Sequence, residues 1–317
     1  MRFFFSRFAV IFALFFVFAA AATADPVASQ LLSLGRMNEA VVALGSRGDA
    51  ESLNLLSRVY FAMERWDEAV KYGEKAVSLD PQNASYHLWL GREYGRKAAS
   101  ANPLSAAGLA RKARAEFERA VQLGPSNIQA HLDLAEYYTE APGFMGGGVD
   151  KARAQAAQIA VQDPGTSHLI LARAADKEKH DADAEREYHA AIKQAKNPAD
   201  MWLQLASFYR EHGRLDDMQN AVRSAVAQPR KPAESYFDAG AQLYLSSRDL
   251  SAAVGYLQKY LASGELVESA PAFRAHYLMG ELQEKMGHNA AAASEYQASL
   301  ALASDFAPAK KALSRVQ

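Results

Sequence analysis

The chain has 317 residues, 50% hydrophobic and 22% charged, with a formal net charge of −1. A charge so near zero speaks against a nucleic-acid partner, because phosphate binding draws on a basic excess. The complete absence of cysteine excludes a disulfide framework, a thiolate zinc site, a cysteine nucleophile and a lipid-modified cysteine near the N-terminus. Length alone suggests two domains, but internal repeats can instead build one elongated domain.

The first element is residues 1–24. Arg2 and Arg7 flank three phenylalanines, and Phe8 to Ala24 then runs without a charge into Ala22-Thr23-Ala24. A basic start, a short apolar run and small residues at its end predict a secretory signal peptide cleaved near Ala24/Asp25. The run of 17 residues is short for a membrane span of about 20. Loss of Arg2 and Arg7 leaves 33 basic against 36 acidic residues, a formal charge of about −3 by the same count. The expected product is a soluble exported protein, periplasmic or secreted, with no stable membrane span.

Residues 25–49 read as a degenerate pair of helices, with Gly35-Arg36-Met37-Asn38-Glu39-Ala40-Val41 at their turn. From residue 50 one plan recurs: a helix, a short turn often holding glycine, a second helix, then often proline. Leu53, Leu56, Tyr60, Trp66, Ala69 and Ala76 set the pattern; Trp202, Leu205, Ala206, Tyr209, Gly213 and Ala225 repeat it. Met279, Gly280, Gly287, Ala292 and Tyr296 do so again. Small residues (Gly91, Ala135, Ala206, Gly280; Ala69, Ala113, Ala152, Ala253) let paired helices approach closely, while larger ones fill the seam between units.

This pattern resembles the tetratricopeptide repeat family, whose period is about 34 residues. Seven units are expected, starting near residues 50, 84, 128, 165, 199, 234 and 273, within an array spanning 50–305. Residues 306–317 are expected as a C-terminal capping helix. The resemblance implies an all-α, right-handed superhelical solenoid of antiparallel helix pairs, because one pair cannot bury its apolar face alone and stacking makes the core continuous. Ala175 stands where an aromatic is common, and Gly73 and Ala156 where a larger residue is common.

Two units are swollen. Tyr60 and Ala69 lie nine apart, but Tyr94 and Ala113 lie nineteen apart and Tyr138 and Ala152 fourteen. The insertions, near residues 97–110 and 141–148, fall in the same kind of turn in adjacent units and should share one edge. The second unit's helices are expected to extend by two or three turns each. The glycine-rich stretch Ala141-Pro142-Gly143-Phe144-Met145-Gly146-Gly147-Gly148 should drape over that overhang, with Phe144 and Met145 as apolar plugs and glycines supplying positive φ. It lacks the Gly-Lys-Ser/Thr end and the preceding strand of a phosphate loop. A partner-binding hook is the other reading, since long loops inside compact repeats are often functional. The two swollen units together also resemble a subgroup of bacterial exported tetratricopeptide proteins.

No catalytic motif, cofactor fingerprint or metal motif stands out, so neither an enzyme nor a metal site is expected. His87, His131, His168 and His276 occupy the fourth position of their units. Equivalent positions lie about 8–10 Å apart per helix layer, too far to share an ion, so these histidines should pack in the seams. In "HDADAE" (His180 to Glu185), Asp181 or Asp183 is expected to cap a helix.

The resemblance places the binding surface on the concave groove. The positions it selects include Arg58, Phe61, Arg92, Glu136, Arg173, Arg210, Asp238, Gln242 and Tyr277. The N-terminal half of this surface reads as basic and the C-terminal half as acidic, which suits a peptide met by arginine forks. The Lys and Asn set of the family's carboxylate clamp is missing. The expected function is a non-catalytic scaffold binding an unidentified protein or peptide. The alternative is a receptor for a small ligand or cell-wall fragment at the edge formed by the two insertions, including Phe144 to Gly148.

Overall fold

The structure, a computed structural model, describes residues 26–229 and 232–317; the expected signal segment lies outside them. Seventeen α-helices and no strand occur among the described residues. In chain order they are α1 (Pro26–Ser33), α2 (Met37–Leu44), α3 (Ala50–Ala62), α4 (Trp66–Leu79), α5 (Ala84–Ser100), α6 (Pro103–Leu123), α7 (Ile128–Glu140) and α8 (Val149–Ile159). They continue with α9 (Pro164–Lys177), α10 (Asp181–Gln194), α11 (Pro198–Glu211), α12 (Leu215–Val226) and α13 (Glu234–Ser246). The last four are α14 (Leu250–Ser263), α15 (Ala272–Lys285), α16 (Asn289–Leu302) and α17 (Ala307–Val316). None of the described helices is long and apolar enough to cross a membrane.

Local chemistry sets the helix ends. Asp49, Asn83, Asn102, Asn127 and Asp163 each accept a backbone N–H in the first turn of the helix that follows, satisfying a donor left without an intrahelical partner. At the far end, α3, α9, α11 and α15 share one closing bond. Arg65, His180, Arg214 and His288 each donate a backbone N–H five residues back, to Tyr60, Ala175, Tyr209 and Gln283. The residue before each donor is left-handed: Glu64, Lys179, Gly213 and Gly287. This is the Schellman stop, and it turns the chain into the second helix of each pair.

A side-chain bond repeats with the same plan. His168 meets Glu187 and His276 meets Glu295, each pair 19 residues apart. His131 meets Gln155 at 24 residues and His87 meets Glu116 at 29. The excesses of five and ten equal the two insertions. The fourth-position histidines thus tie the first helix of a pair to the second, in the seams.

The ten extra residues of the second unit divide unequally. Helix α5 has 17 residues and α6 has 21, against 13 and 14 in α3 and α4. At 3.6 residues per turn, α5 gains about one turn and α6 about two, rather than two or three each. Asn102 is the reason: its side chain caps α6 at Ser105 and so places the turn early.

The core runs along the stack and then returns to its start. One apolar cluster joins α9 through α15, and another joins α4 through α9. A third contains Leu32, Met37, Leu44, Leu56 and Val59 from the first helices together with Phe273, Phe306 and Ala309 from the last. Phe273 and Phe306 meet edge to face, with ring centroids 5.1 Å apart, and both are fully buried. Polar contacts reinforce this seam: Asn38 donates to the Ala301 carbonyl at 3.0 Å and accepts from the Ser304 N–H at 2.9 Å. The first and last repeats therefore touch, and the array closes on itself.

Close approach within pairs depends on missing side chains. A Cβ at Gly280 would stand 2.4 Å from the Tyr296 ring, whereas one at Gly255, inside α14, would meet nothing within 4 Å. Gly280→Val should lower unfolding free energy by about 1–3 kcal/mol through overpacking. Gly255→Ala should raise it by about 0.5–1 kcal/mol through helix propensity. Urea titration of the two variants checks both signs.

Candidate binding cavity

The closed array frames an open-mouthed cavity of about 1150 Å³ between α3, α5, α7, the inserted loop and the segment before α15. Its aromatic wall comes from α3, the start of α4, and α5. Phe61 lies edge-on to both Trp66 and Trp89, at 5.4 and 5.7 Å between centroids. Trp89 is held between two guanidinium groups, Arg58 at 4.9 Å and Arg92 at 4.7 Å from its ring centroid. Cation–π attraction favours this sandwich and keeps the indole upright.

The cationic groups around this wall are mostly committed. Arg58 forks Glu268, with Nε 2.9 Å from Oε1 and the second nitrogen on Oε2. That pair spans the closure, because Glu268 precedes α15. Arg92 donates to Asp133 of α7 at 2.5 Å. Arg274, in α15, donates through Nε and Nη2 to the Ala62 carbonyl at 3.0 and 2.8 Å, and to Glu64 at 3.0 Å. Ala62 ends α3, so the last repeat caps a carbonyl that α3 itself cannot satisfy. Burial lowers the Arg274 pKa, with Glu64 opposing that shift. Arg96, also on the cavity wall, is exposed and makes no ion pair among the described residues.

Of the residues expected on the groove, Arg58, Phe61, Arg92 and Glu136 border this cavity. Glu136 also borders a second cavity of about 400 Å³, together with Arg173. Arg173 donates to Glu136 at 3.1 Å and to Gln204 at 2.8 Å. Arg210 donates to Gln242 at 3.1 Å. These arginines bridge successive repeats, so the expected basic half is largely neutralised in place. Tyr277 faces the closing seam, with its ring 5.3 Å from Phe306. Trp89, Arg96, Arg274 and Glu268 escaped the sequence reading. Trp89 and Arg274 lie one helical face away from, or at, the wall positions already selected; Glu268 sits in an irregular segment that carries no periodic signal.

The glycine-rich loop is pinned by its backbone. The Met145 carbonyl accepts from Tyr137 Oη at 3.0 Å and Arg114 Nη1 at 3.1 Å, and the Gly146 carbonyl accepts from Lys151 at 2.7 Å. Gly146 is left-handed at φ 89°, and a Cβ there would overlap Arg114. Met145 borders the large cavity. Phe144 departs from the expectation of an apolar plug: it is 79% exposed, because the turn Gly143–Met145 directs its neighbour inward and leaves Phe144 outward. Neither Asp181 nor Asp183 caps α10. His180 occupies that position without a side-chain cap bond, and Asp183 instead accepts from Arg186 at 2.6 Å.

With this geometry established, residues 50–83 match the family model described as "Tetratricopeptide repeat". The chain carries a tetratricopeptide repeat. An 87-residue stretch is 32% identical to "DnaJ homolog subfamily C member 7" of Mus musculus, covering 27% of this chain and 16% of that protein. The match thus spans about a sixth of the length of that curated relative. A thermophilic TPR protein of Thermus thermophilus aligns at 23% identity and TM-score 0.47, over 57% of this chain and 94% of that one. A tetratricopeptide repeat protein from Parabacteroides merdae aligns at 15% identity and TM-score 0.42, over 84% and 98%. Tetratricopeptide repeats generally mediate protein–protein contacts through their stacked inner surface.

Farther along the inner surface, Asp238 is desolvated by burial and faces the negative field of Glu234 and Asp200, which raises its pKa to about 7. An unfolded aspartate titrates near 3.9. A folded-state pKa above the unfolded value makes this group's contribution most favourable below about pH 4 and progressively unfavourable as pH rises through 7. Asp238→Asn should therefore match the parent's stability at pH 4 and exceed it at pH 8, as read by denaturant unfolding at both pH values.

Proposed function

We propose that this protein is a non-catalytic scaffold of the bacterial cell envelope, exported by its N-terminal segment, which holds a segment of a partner protein in the central cavity. The aromatic wall at Phe61 and Trp89 supports this reading most directly, because an apolar anchor needs a preformed desolvated pocket. Arg58 and Arg92 frame the site and set its shape, while Arg173 borders the adjoining smaller cavity. Arg96, exposed on the cavity wall and without an ion pair among the described residues, would meet an acidic side chain on the occupant. Of the other groove positions, Glu136 lies on the wall common to both cavities, Arg210, Asp238 and Gln242 extend the surface beyond the central one, and Tyr277 lies at the closing seam.

A second reading rests on the inserted edge. Gly95, Ala99, Ala110, Ala141 and Met145 line one side of the same cavity, whose volume of about 1150 Å³ lies just above the range of small-molecule sites, about 300–1,000 Å³. A small ligand or cell-wall fragment would enter from that side, past the loop Phe144, Met145, Gly146, Gly147 and Gly148.

Photo-crosslinking separates the two. A photoreactive phenylalanine analogue at position 61 should trap a protein adduct in cells exporting the chain. Arg96→Glu should reduce that adduct several-fold, while Phe144→Ser leaves it unchanged. An adduct confined to probes at position 144, or none at 61 while purified cell-wall fragments raise the Tm by mass action, would favour the edge receptor and overturn the scaffold reading.

A further inference from the structure

Three residues that no sequence motif connects meet where the turns inside the fourth and fifth repeats lie side by side. Asp176 lies in the last turn of α9, Asp181 opens α10 across the turn, and His212 follows α11 in the next repeat. Each offers one ligand atom, and these atoms lie within 4.8 Å of one another.

The histidine's tautomer follows from its partner. His212 Nδ1 is 2.9 Å from the Phe208 carbonyl oxygen. A carbonyl only accepts, so Nδ1 carries a proton. The ring is also held against the Phe208 ring, at 4.3 Å between centroids. That carbonyl fixes the ring with Nε2 turned toward two carboxylates, the arrangement in which an outer partner orients a metal ligand.

Nε2 faces two carboxylates without a good hydrogen bond to either. Asp176 Oδ1 is 3.2 Å away, and Asp181 Oδ1 is 3.6 Å away. The second distance is too long for a hydrogen bond. Asp176 Oδ1 is buried and has no hydrogen-bonding donor, a costly state for a carboxylate oxygen. Two ligand atoms each about 2.0–2.2 Å from one ion stand about 3.0–3.5 Å apart in octahedral or tetrahedral geometry. The two nitrogen–oxygen spacings, 3.2 and 3.6 Å, lie close to these values, and the two oxygens are within 4.8 Å of each other, so a shared ion would draw the carboxylates in around it.

We propose that Asp176, Asp181 and His212 form a binding site for a first-row divalent transition-metal ion. Two carboxylates balance the dication, and the imidazole selects against magnesium and calcium, which prefer all-oxygen sets. Asp176 borders the 400 Å³ cavity beside Tyr188, Ser207 and Glu211, so water fills the remaining positions from that side. Lys179 opposes the dication and Glu211 favours it. The ion ties α9 and α10 to the end of α11, and thus one repeat to the next. No reaction is assigned to it.

The test is zinc uptake by the untagged, chelator-treated protein, measured by equilibrium dialysis and by the visible absorption of the cobalt(II) form. One equivalent of zinc should bind, with magnesium failing to compete, and the Tm should rise with free zinc by mass action. Asp181→Asn and His212→Gln should each weaken uptake at least ~10-fold, since losing even an outer-shell partner costs that much. Asp181 is exposed, so its substitution leaves folding intact. Asp183→Asn, two residues along α10 and paired with Arg186, should leave uptake unchanged. No stoichiometric uptake, or uptake equal in both ligand variants and the parent, would overturn the site.

Discussion

Each helix pair in this chain has two apolar faces and can cover only one of them by itself. Stacking solves the problem for every interior pair and leaves one bare face at each end. Here the two ends answer each other. Phe273, Phe306 and Ala309 of the last repeat share a core with Leu32, Met37 and Leu56 of the first. Arg274 crosses the same seam to satisfy the open carbonyl of Ala62, and Ser304 donates through both its N–H and its hydroxyl to Asn38 Oδ1 over it. Helix α17 therefore does more than cover the last repeat: with Phe306 at its N-terminus it is part of the joint.

The cavity is a consequence of that joint. In an open array Arg58 would face solvent; closed, it meets Glu268 and is held against Trp89. Placing the pair in a partly desolvated wall makes it geometrically specific rather than a large source of stability, since desolvation offsets much of the attraction. The insertions complete the frame from the other side. The longer α5 and α6 raise a rim, and the glycine-rich loop is fastened by three donors on its carbonyls: Arg114 from that rim, Tyr137 from α7 and Lys151 from α8. Backbone bonds hold the loop, which leaves the Phe144 side chain free of any packing duty.

The repeat plan was legible in the sequence because it is local. Helix periodicity and histidine positions act within about one unit, and even the insertion lengths could be counted, from Tyr94 to Ala113 and from Tyr138 to Ala152. The unequal extension of α5 and α6 was harder, because it depends on which residue caps α6. The closure was not legible at all. Arg58 and Glu268 are 210 residues apart, and no periodic signal links a groove arginine to a carboxylate in an irregular segment. The groove arginines could be named as a set from their register, but their partners lie in neighbouring repeats and emerge only from stacking. The cluster of Asp176, Asp181 and His212 was hidden for the same reason: His212 belongs to the next repeat, and "HDADAE" alone looks like a helix start.

The central claim is that the first and last repeats touch. A cysteine-free chain allows a direct test. Cysteines placed at positions 38 and 304, where the native side chains meet at 2.8 Å, should be joined within one molecule by a short thiol-specific cross-linker in dilute solution. The product should migrate as a looped monomer in denaturing gels, and a control pair at positions 42 and 161, both highly exposed, should not form it. If the 38/304 pair reacts no faster than the control pair, the array is open in solution, and the cavity it frames goes with it.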